Sequence, residues 1–582
     1  MKNYKKVYAA FILAGGLILH GCNGIFDDLA INPNQPSMGA YFTSPSAVND
    51  AVMTMYGYMS TQRCLGASGS KTTIIRSDEA SSNSDYGKPG MFGADLNASY
   101  YTIEQPYTLM YTTASQASYI IETAPSVDFS GNEELRNAYM GEAYFWRAFA
   151  HYYLLINFRN ISPIRQMPRN GDDYVRPLEK PAAVWNFIQE DLAHAKELLP
   201  VKGYWDSKNA GRVTKASAAA LLGKAYLYRS GIEQYYGEDK TTFYSEAAKE
   251  FGDVIDGKYG TYDLTKNYAD NFDVAHENNE ESILEFQFLG DVDNAGFNPG
   301  LATSGLAFDS RGLMLPGAGV GYEGVVHNWL YNAFVNSVDK DGYTDIRMFS
   351  TMIFNDLDAS IHLRNDAGGN PVRLEGPGGY KWEELYPAKN GKEGFATVSN
   401  PLAHSFKAGI RKGIDCSMPT QTEADGTPKL VGVGAGVKEY VYNQPRAHGV
   451  NWRYIRYADV LMMYAEAIVS GGTQASNMTP LQAVNKVRGR VNMSELPSVT
   501  MTDIQNERIL EFALEGHRFY DLLRWGKLTS RFTELQESDP NFKKFISADD
   551  FKGFVTNKHE WLPIPINEVN SNPYITENNP GY

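Results

Sequence analysis

Three stretches of the chain interleave Ala and Gly with large aromatic residues at helical spacing: GEAYFWRAFAHYYLL from Gly141, ASAAALLGKAYLYRS from Ala216, and RYADVLMMYAEAIVS from Arg456. No other feature constrains the fold as strongly. Where Ala or Gly faces a neighbouring helix the two backbones can come close, and Tyr, Phe or Trp on the same face fills the gaps that remain. Each stretch is followed by a second amphipathic pattern, at Ala182 to Leu198, Phe243 to Ile255 and Pro480 to Arg490. The chain is therefore expected to build stacked helix pairs.

Helix pairs of this kind are the unit of tetratricopeptide-like scaffolds, where a repeat recurs about every 34 residues. The spacing here is irregular, so the repeats are degenerate and carry loops; an unrelated all-helical fold is the alternative. Ser46 to Met59 and Tyr107 to Thr123 add two amphipathic patterns, and between them Lys71 to Tyr101 is a polar excursion rich in Ser, Asn and Gly. From about Gly290 to Glu439, Gly-rich runs such as LPGAGVGYEG and LVGVGAGV break up short apolar stretches. Irregular segments of that length in a compact protein usually carry function. The expected architecture is mainly α: a helical scaffold over 46–289 and 440–538, an inserted loop-rich lobe with a few short strands over 290–439, and an extended tail over 539–582 packing on the scaffold. At 582 residues the chain exceeds the size at which one core stops growing, so more than one lobe is expected.

The N-terminus sets the compartment. Lys2, Lys5 and Lys6 precede an apolar run from Val7 to Leu19 that is too short to span a bilayer comfortably and ends in LHGC. This resembles a bacterial lipobox, although His20 stands where a small residue is usual. Residues 1–21 then form a lipoprotein signal peptide, Cys22 takes the acyl chains, and 22–45 is a Pro/Asn/Ser-rich tether. At roughly 0.8 kcal/mol per buried methylene, several chains anchor a protein durably without a transmembrane helix. The remaining cysteines, Cys64 and Cys416, could pair or stay as buried thiols; with no CxxC, no thiol-redox module is indicated. A net charge of −15 argues against nucleic acid as a partner.

The stretch ILEFALEGHRFYDLLRWGKL, Ile509 to Leu528, reads as one helix whose apolar stripe is crowded by Glu511, Glu515, Arg518, Asp521 and Arg524. Buried charges must be paired. Glu515 is expected to pair with Arg518, Asp521 with Arg524, and Glu511 with a neighbouring helix, while Gly516 marks close approach in mid-helix. Arginines at this density keep carboxylates ionised, which favours a register lock over a catalytic pair. The longer NERILEFALEGHRFYDLLRWG closely resembles the C-terminal signature of the SusD/RagB family, lipid-anchored nutrient-capture proteins of the Gram-negative outer membrane. RSDEA at Arg76, VWNFIQEDLAHAKELLP, GRVTKASAAALLGKAYLY, DGYTDIR from Asp341, YIRYADVLMMYAEA and the terminal WLPIPINEVNSNPYITENNPGY are similar to family segments in the same order. One departure is NISPIR, Asn160 to Arg165, where the family more often has a Gly and a VP turn. The resemblance implies a non-enzymatic, cell-surface lipoprotein of the outer membrane. It would hold an oligosaccharide or polysaccharide, or in some relatives a peptide, and pass it to a TonB-dependent transporter of the SusC type, acting as its lid.

The motifs of common enzymes are missing: there is no HExxH, GxSxG or P-loop, and HENNE at His276 has the wrong spacing for a zincin. Gly319, Gly321 and Gly324 fit GxGxxG without a βαβ frame and read as a flexible wall around Tyr322. The DKDGYTD run from Asp339 has calcium-like Asp spacing, but Ser350 stands where an EF-hand needs Glu; it reads as a solvated turn before a helix. No cofactor is expected, with a structural calcium ion left open. With 68 acidic residues a lipid-anchored glycoside hydrolase remains the enzymatic alternative, and a purely structural outer-membrane scaffold is a third reading. Sugar capture needs aromatic faces plus amide and charged side chains. The irregular regions supply Asp85, Tyr86, Phe92, Asn97 and Tyr101, then Phe308, Arg311, Tyr322 and Trp329, with Trp382 and Tyr386 as second choices.

Overall fold

The computed structural model describes residues 42–61, 63–66, 69, 71–82, 92, 96–288, 323–354, 359–365, 407–412, 430–432, 438–440, 450–539 and 553–582. The signal peptide, Cys22 and nearly all of the tether lie outside these residues. So does Cys416, while Cys64 is a buried thiol.

Helix α1 (Pro45–Met59) starts where Ser44 accepts from the Ala47 amide, with Pro in the first turn. Helix α2 (Tyr101–Thr123) begins six residues before the position that its periodicity suggests. Pro106 obscures the start, yet near the N-terminal end its missing amide forfeits only one bond, and Thr102 and Ile103 gain burial. Next come α3 (Glu133–Phe158), α4 (Pro181–Leu198), α5 (Lys215–Tyr236) and α6 (Tyr244–Ile255). Beyond them lie α7 (Asn328–Val335), α8 (Arg347–Thr351), α9 (Tyr457–Val469) and α10 (Pro480–Arg490). From α1 to α6 neighbours in sequence pack on one another; α6 then packs on α9 and α9 on α10. Small residues do set these approaches. A Cβ on Gly223 would stand 2.7 Å from the Phe251 ring, and one on Gly231 would stand 2.4 Å from the Arg524 carbonyl oxygen.

The expected single helix over Ile509 to Leu528 is instead three: α11 (Met501–Glu511), α12 (Arg518–Arg524) and α13 (Leu528–Ser538). Leu514 and Gly516 take positive φ, 61° and 86°, so Gly516 lies in a turn and not in mid-helix. Distant side chains stabilise the break by satisfying its backbone. The Tyr268 hydroxyl and Arg456 donate to the Glu511 carbonyl, Lys412 to that of Ala513, and the Trp452 indole to that of Glu515; the Leu514 amide donates to Glu79. A short α14 (Ile566–Ser571) lies in the tail.

Strands β1 (Ala80–Ser82), β3 (Glu323–Val326), β5 (Ala408–Ile410) and β4 (Met352–Phe354) form an antiparallel sheet in that order. Strand β2 (Ser282–Phe286) pairs with β8 (Trp452–Arg456), and β6 (Leu430–Gly432) with β7 (Lys438–Tyr440). The β2–β8 ladder is a neck: the chain leaves the scaffold after it and returns into it, and the Phe288 amide donates to Asn451 at 2.7 Å. Val326, Leu330, Phe334, Met348 and Met352 join one large apolar cluster with the scaffold helices. Among the described residues the inserted segment therefore shares the scaffold's core.

Candidate ligand-binding site

The densest cluster of titratable groups lies in the interior. Arg456 donates to Glu281 at 2.6 Å, to Glu511 at 2.6 Å and to Glu515 at 2.9 Å. Arg347 reaches Asp345 at 2.7 Å, Glu507 at 2.5 Å and Glu511 at 3.0 Å. Arg490 bridges Glu281 and Glu511, Arg488 meets Glu507, and Lys412 meets Glu515. Five carboxylates face five cations. A second lattice sets Asp459, Asp521 and Glu466 against Lys224, Arg508 and Arg524. Asp521 and Arg524 pair at 2.8 Å as the spacing predicts. The expected Glu515–Arg518 pair is replaced: with the helix broken between them, Glu515 turns to Arg456 and Lys412, and Arg518 to Asp78.

The carboxylates at the centre of these lattices, Glu511 and Asp459, do not suit acid–base work. Burial alone would push Glu511 up, but Arg490, Arg456 and Arg347 hold it well below the usual carboxylate range. For Asp459, Lys224, His517 and Arg508 likewise outweigh burial. A carboxylate held so low keeps no proton to give at neutral pH. The lattices clamp helices.

The four-stranded sheet holds the attachment points of the segments expected to bear ligand contacts. In the β1–β3 pair Ser82 lies opposite Glu323. The chain leaves β1 at Ser82 towards Asp85 and Tyr86, and it enters β3 at Glu323 from the segment bearing Phe308, Arg311 and Tyr322. Those five residues lie outside the described ones, but their attachment points are adjacent. Trp382 and Tyr386, also outside, belong to a segment attached at the other end, since Ala408 lies opposite both Val326 and Phe354. That end is about 10 Å along the strands.

Of the described candidates, Asn97 and Tyr101 lie at the surface, Asn97 accepting from the Ser99 amide and Tyr101 beginning α2. Trp329 is half-buried, with its indole N–H on the Asp78 carbonyl and the Arg531 guanidinium 4.1 Å above the ring. Phe92 is 2% exposed, its ring packed among Phe532, Phe554 and His559. It is a core anchor and offers no stacking face to a ligand. An apolar ring in a polar stretch signals either role, and only tertiary contacts separate them.

RSDEA proves to be a hub at the opposite, Ala80–Val326 end of the sheet, though sequence reasoning used it only as a family segment. Arg76 donates to Asn157 and to the carbonyls of His559 and Glu560, fastening the tail. Asp78 pairs with Arg518 at 2.9 Å and with Arg531 at 2.6 Å, and its carbonyl also takes the N–H of His327, an imidazole that burial pushes down to about 4 and so keeps neutral. Glu79 accepts from the Leu514 amide at 2.9 Å, and burial pushes its carboxyl up to about 8. A carboxyl raised on folding contributes stability that is full below about 4.5 and is lost as pH rises through 8. Glu79→Gln should therefore resist urea better than the parent protein at pH 9, the gap closing as pH falls towards 4.5; equal midpoints at pH 9 would contradict this.

Asp339 turns the chain before α8 as expected, but its carboxylate is buried and not solvated. Its carboxylate accepts from the Asp341 and Tyr343 amides and from Arg364, which also holds Asp341. Among the described residues no group of three or more His, Cys, Asp or Glu side chains could hold a metal.

Known proteins share this architecture. The SusD family model matches residues 422–582, and a SusD-like model described as starch-binding associating with outer membrane matches residues 31–227. A SusD-like protein of Bacteroides ovatus is 23% identical across 99% of this chain and 98% of its own. SusD-like protein P2 of Formosa agariphila is 25% identical across the full length of both. Among solved structures, a SusD superfamily protein from Bacteroides vulgatus superposes with a TM-score of 0.67 at 22% identity, covering 93% of this chain and 100% of that one. A laminarin-binding SusD-like protein gives 0.62 at 22% identity, with the same coverage. Surface glycan-binding protein A from Bacteroides fluxus gives 0.62 at 18%, covering 92% and 99%. Stacked helix pairs with a necked insertion are thus the SusD-type fold. The chain belongs to the SusD/RagB family.

Proposed function

We propose that this protein is a cell-surface lipoprotein of the outer membrane that binds an oligosaccharide or polysaccharide and delivers it to a TonB-dependent transporter of the SusC type, acting as its lid. The observation that carries the reading is the Ser82–Glu323 register, which attaches two aromatic-bearing segments, far apart in sequence, at one end of one sheet. Relatives described as laminarin-binding and glycan-binding support a carbohydrate ligand. The ionic lattices are committed to the scaffold, so recognition falls to stacking rings and hydrogen-bonding side chains, with ligand handed on chemically unchanged.

A glycan array followed by titration of the selected glycan, with reducing ends assayed in parallel, tests this. Saturable binding without new reducing ends is expected; accumulating reducing ends would favour a hydrolase, and binding only to peptides would change the cargo. Acylation at Cys22 predicts that Cys22→Ser leaves the membrane fraction almost completely. A variant still sedimenting with outer membranes would remove the lipid anchor from the account.

A further inference from the structure

Between the connection that joins α4 to α5 and the strand β2 lies a cleft of about 240 Å³. Two of the rings that line it are pinned by cations. The Arg212 guanidinium stands 4.1 Å over the Trp205 indole, whose N–H donates to the Val213 carbonyl at 3.2 Å, and Lys202 Nζ stands 3.9 Å from the centre of the Tyr262 ring. The cleft shares no residue with the sheet end where Ser82 faces Glu323.

Charge and hydrogen-bonding capacity narrow what such a cleft can hold. Its charged side chains are Lys202, Asp206, Arg212 and Glu285. Arg212 is committed to Glu142 at 2.5 Å, and Glu285 to Arg453 at 3.3 Å. Lys202 and Asp206 remain, and among the described residues they form no ion pair with each other. Lys202 Nζ uses one N–H on the Thr261 carbonyl; Asp206 accepts three N–H bonds on Oδ1, from Lys208 and twice from Asn209, and none on Oδ2. A donor and an acceptor with unused capacity therefore line the same cleft. An anion would face Asp206 and Glu285, and a cation would face Lys202 and Arg212, so a ligand with net charge of either sign meets repulsion. Neighbouring hydroxyls suit the donor and acceptor, and a C–H ring face suits the two aromatic rings. The volume is below the roughly 300–1,000 Å³ of drug-sized sites, which limits the occupant to a small ring.

We propose that this cleft is a second binding site, for a neutral pyranose, either as a single sugar or as the end of a chain. Trp205 and Tyr262 supply the apolar walls, while Lys202 donates to one hydroxyl and Asp206 Oδ2 accepts from another. The site goes beyond the proposed sheet-end surface and rests on none of its residues.

The test is fluorine NMR on the full-length chain labelled with 5-fluorotryptophan, the Trp205 resonance being assigned through Trp205→Phe. Glucose, galactose, mannose and xylose are titrated in turn, with glucuronate and glucosamine as charged counterparts. At least one neutral sugar should shift the Trp205 resonance saturably, with the millimolar half-saturation expected of so small a ligand, while the buried Trp146 and Trp185 stay fixed. Lys202→Met and Asp206→Asn should each weaken that binding about tenfold or more. Asp206→Asn keeps the side-chain shape and so guards against a variant that fails to fold. The proposal is overturned if no neutral sugar shifts Trp205, if a charged counterpart binds more tightly, or if either variant binds as the parent does with its circular dichroism unchanged. Loss of all binding on the glycan array with the Trp205 shift retained would overturn the proposed function alone, so the two failures are distinguishable.

Discussion

Replacing Arg456 by Met should leave a protein that unfolds at body temperature or fails to fold. The side chain is fully buried and serves three carboxylates, Glu281, Glu511 and Glu515, besides the Glu511 carbonyl at the end of α11. Methionine can fill much of the volume but supplies no donor. Breaking one buried ion pair by removing a partner costs about 3–5 kcal/mol, and here three carboxylates each lose one cation. Arg347, Arg490 and Lys412 remain nearby and soften the loss without replacing it. Since whole domains are stable by about 5–15 kcal/mol, the change should remove most of the margin. Urea unfolding followed by far-ultraviolet circular dichroism checks it, and a midpoint within experimental error of the parent's would mean that the lattice does not hold the scaffold.

Acid should act on the same groups at once. Glu511, Glu281 and Asp459 are pushed up by burial yet held below their ordinary values by surrounding cations. A carboxylate depressed on folding contributes stability that is present above its unfolded value, 4.5 for Glu and 3.8 for Asp, and is lost as pH falls below it. Stability should therefore drop steeply once pH passes below about 4.5. Glu79 has the opposite sign, but its contribution is already full below about 4.5 and does not change over the fall. Thermal midpoints measured from pH 6 to pH 3 should decline by several degrees; a flat profile would contradict the ionised lattice.

The helix pairs were legible because their signals are local. Pro181 and Pro480 at first helical positions, and Thr479 with Gln482 in a capping box, place boundaries to within a residue or so. The broken helix was not legible, because its periodicity continues across residues 512–517 while the groups that stabilise the turn come from Glu79, Tyr268, Lys412, Trp452 and Arg456. The same holds for the site. Composition could point to the Gly- and Tyr-rich segments, but no local signal says that Ser82 faces Glu323, or that Phe92 turns inward onto Phe532. Strands of three and four residues are too short to announce their pairing. Nor does any local signal pair Asp78 with Arg531.

The central claim is that the segments attached at Ser82 and Glu323 form one glycan-binding surface on a scaffold held by internal ion pairs. Affinities of Tyr86→Ala, Tyr322→Ala and the double variant for the glycan chosen on the array test it most directly. Each single change should weaken binding of that one glycan by roughly tenfold, the order expected for one lost aromatic contact, with helical content unchanged. Undiminished affinity in either single variant, with the fold intact, would contradict the claim.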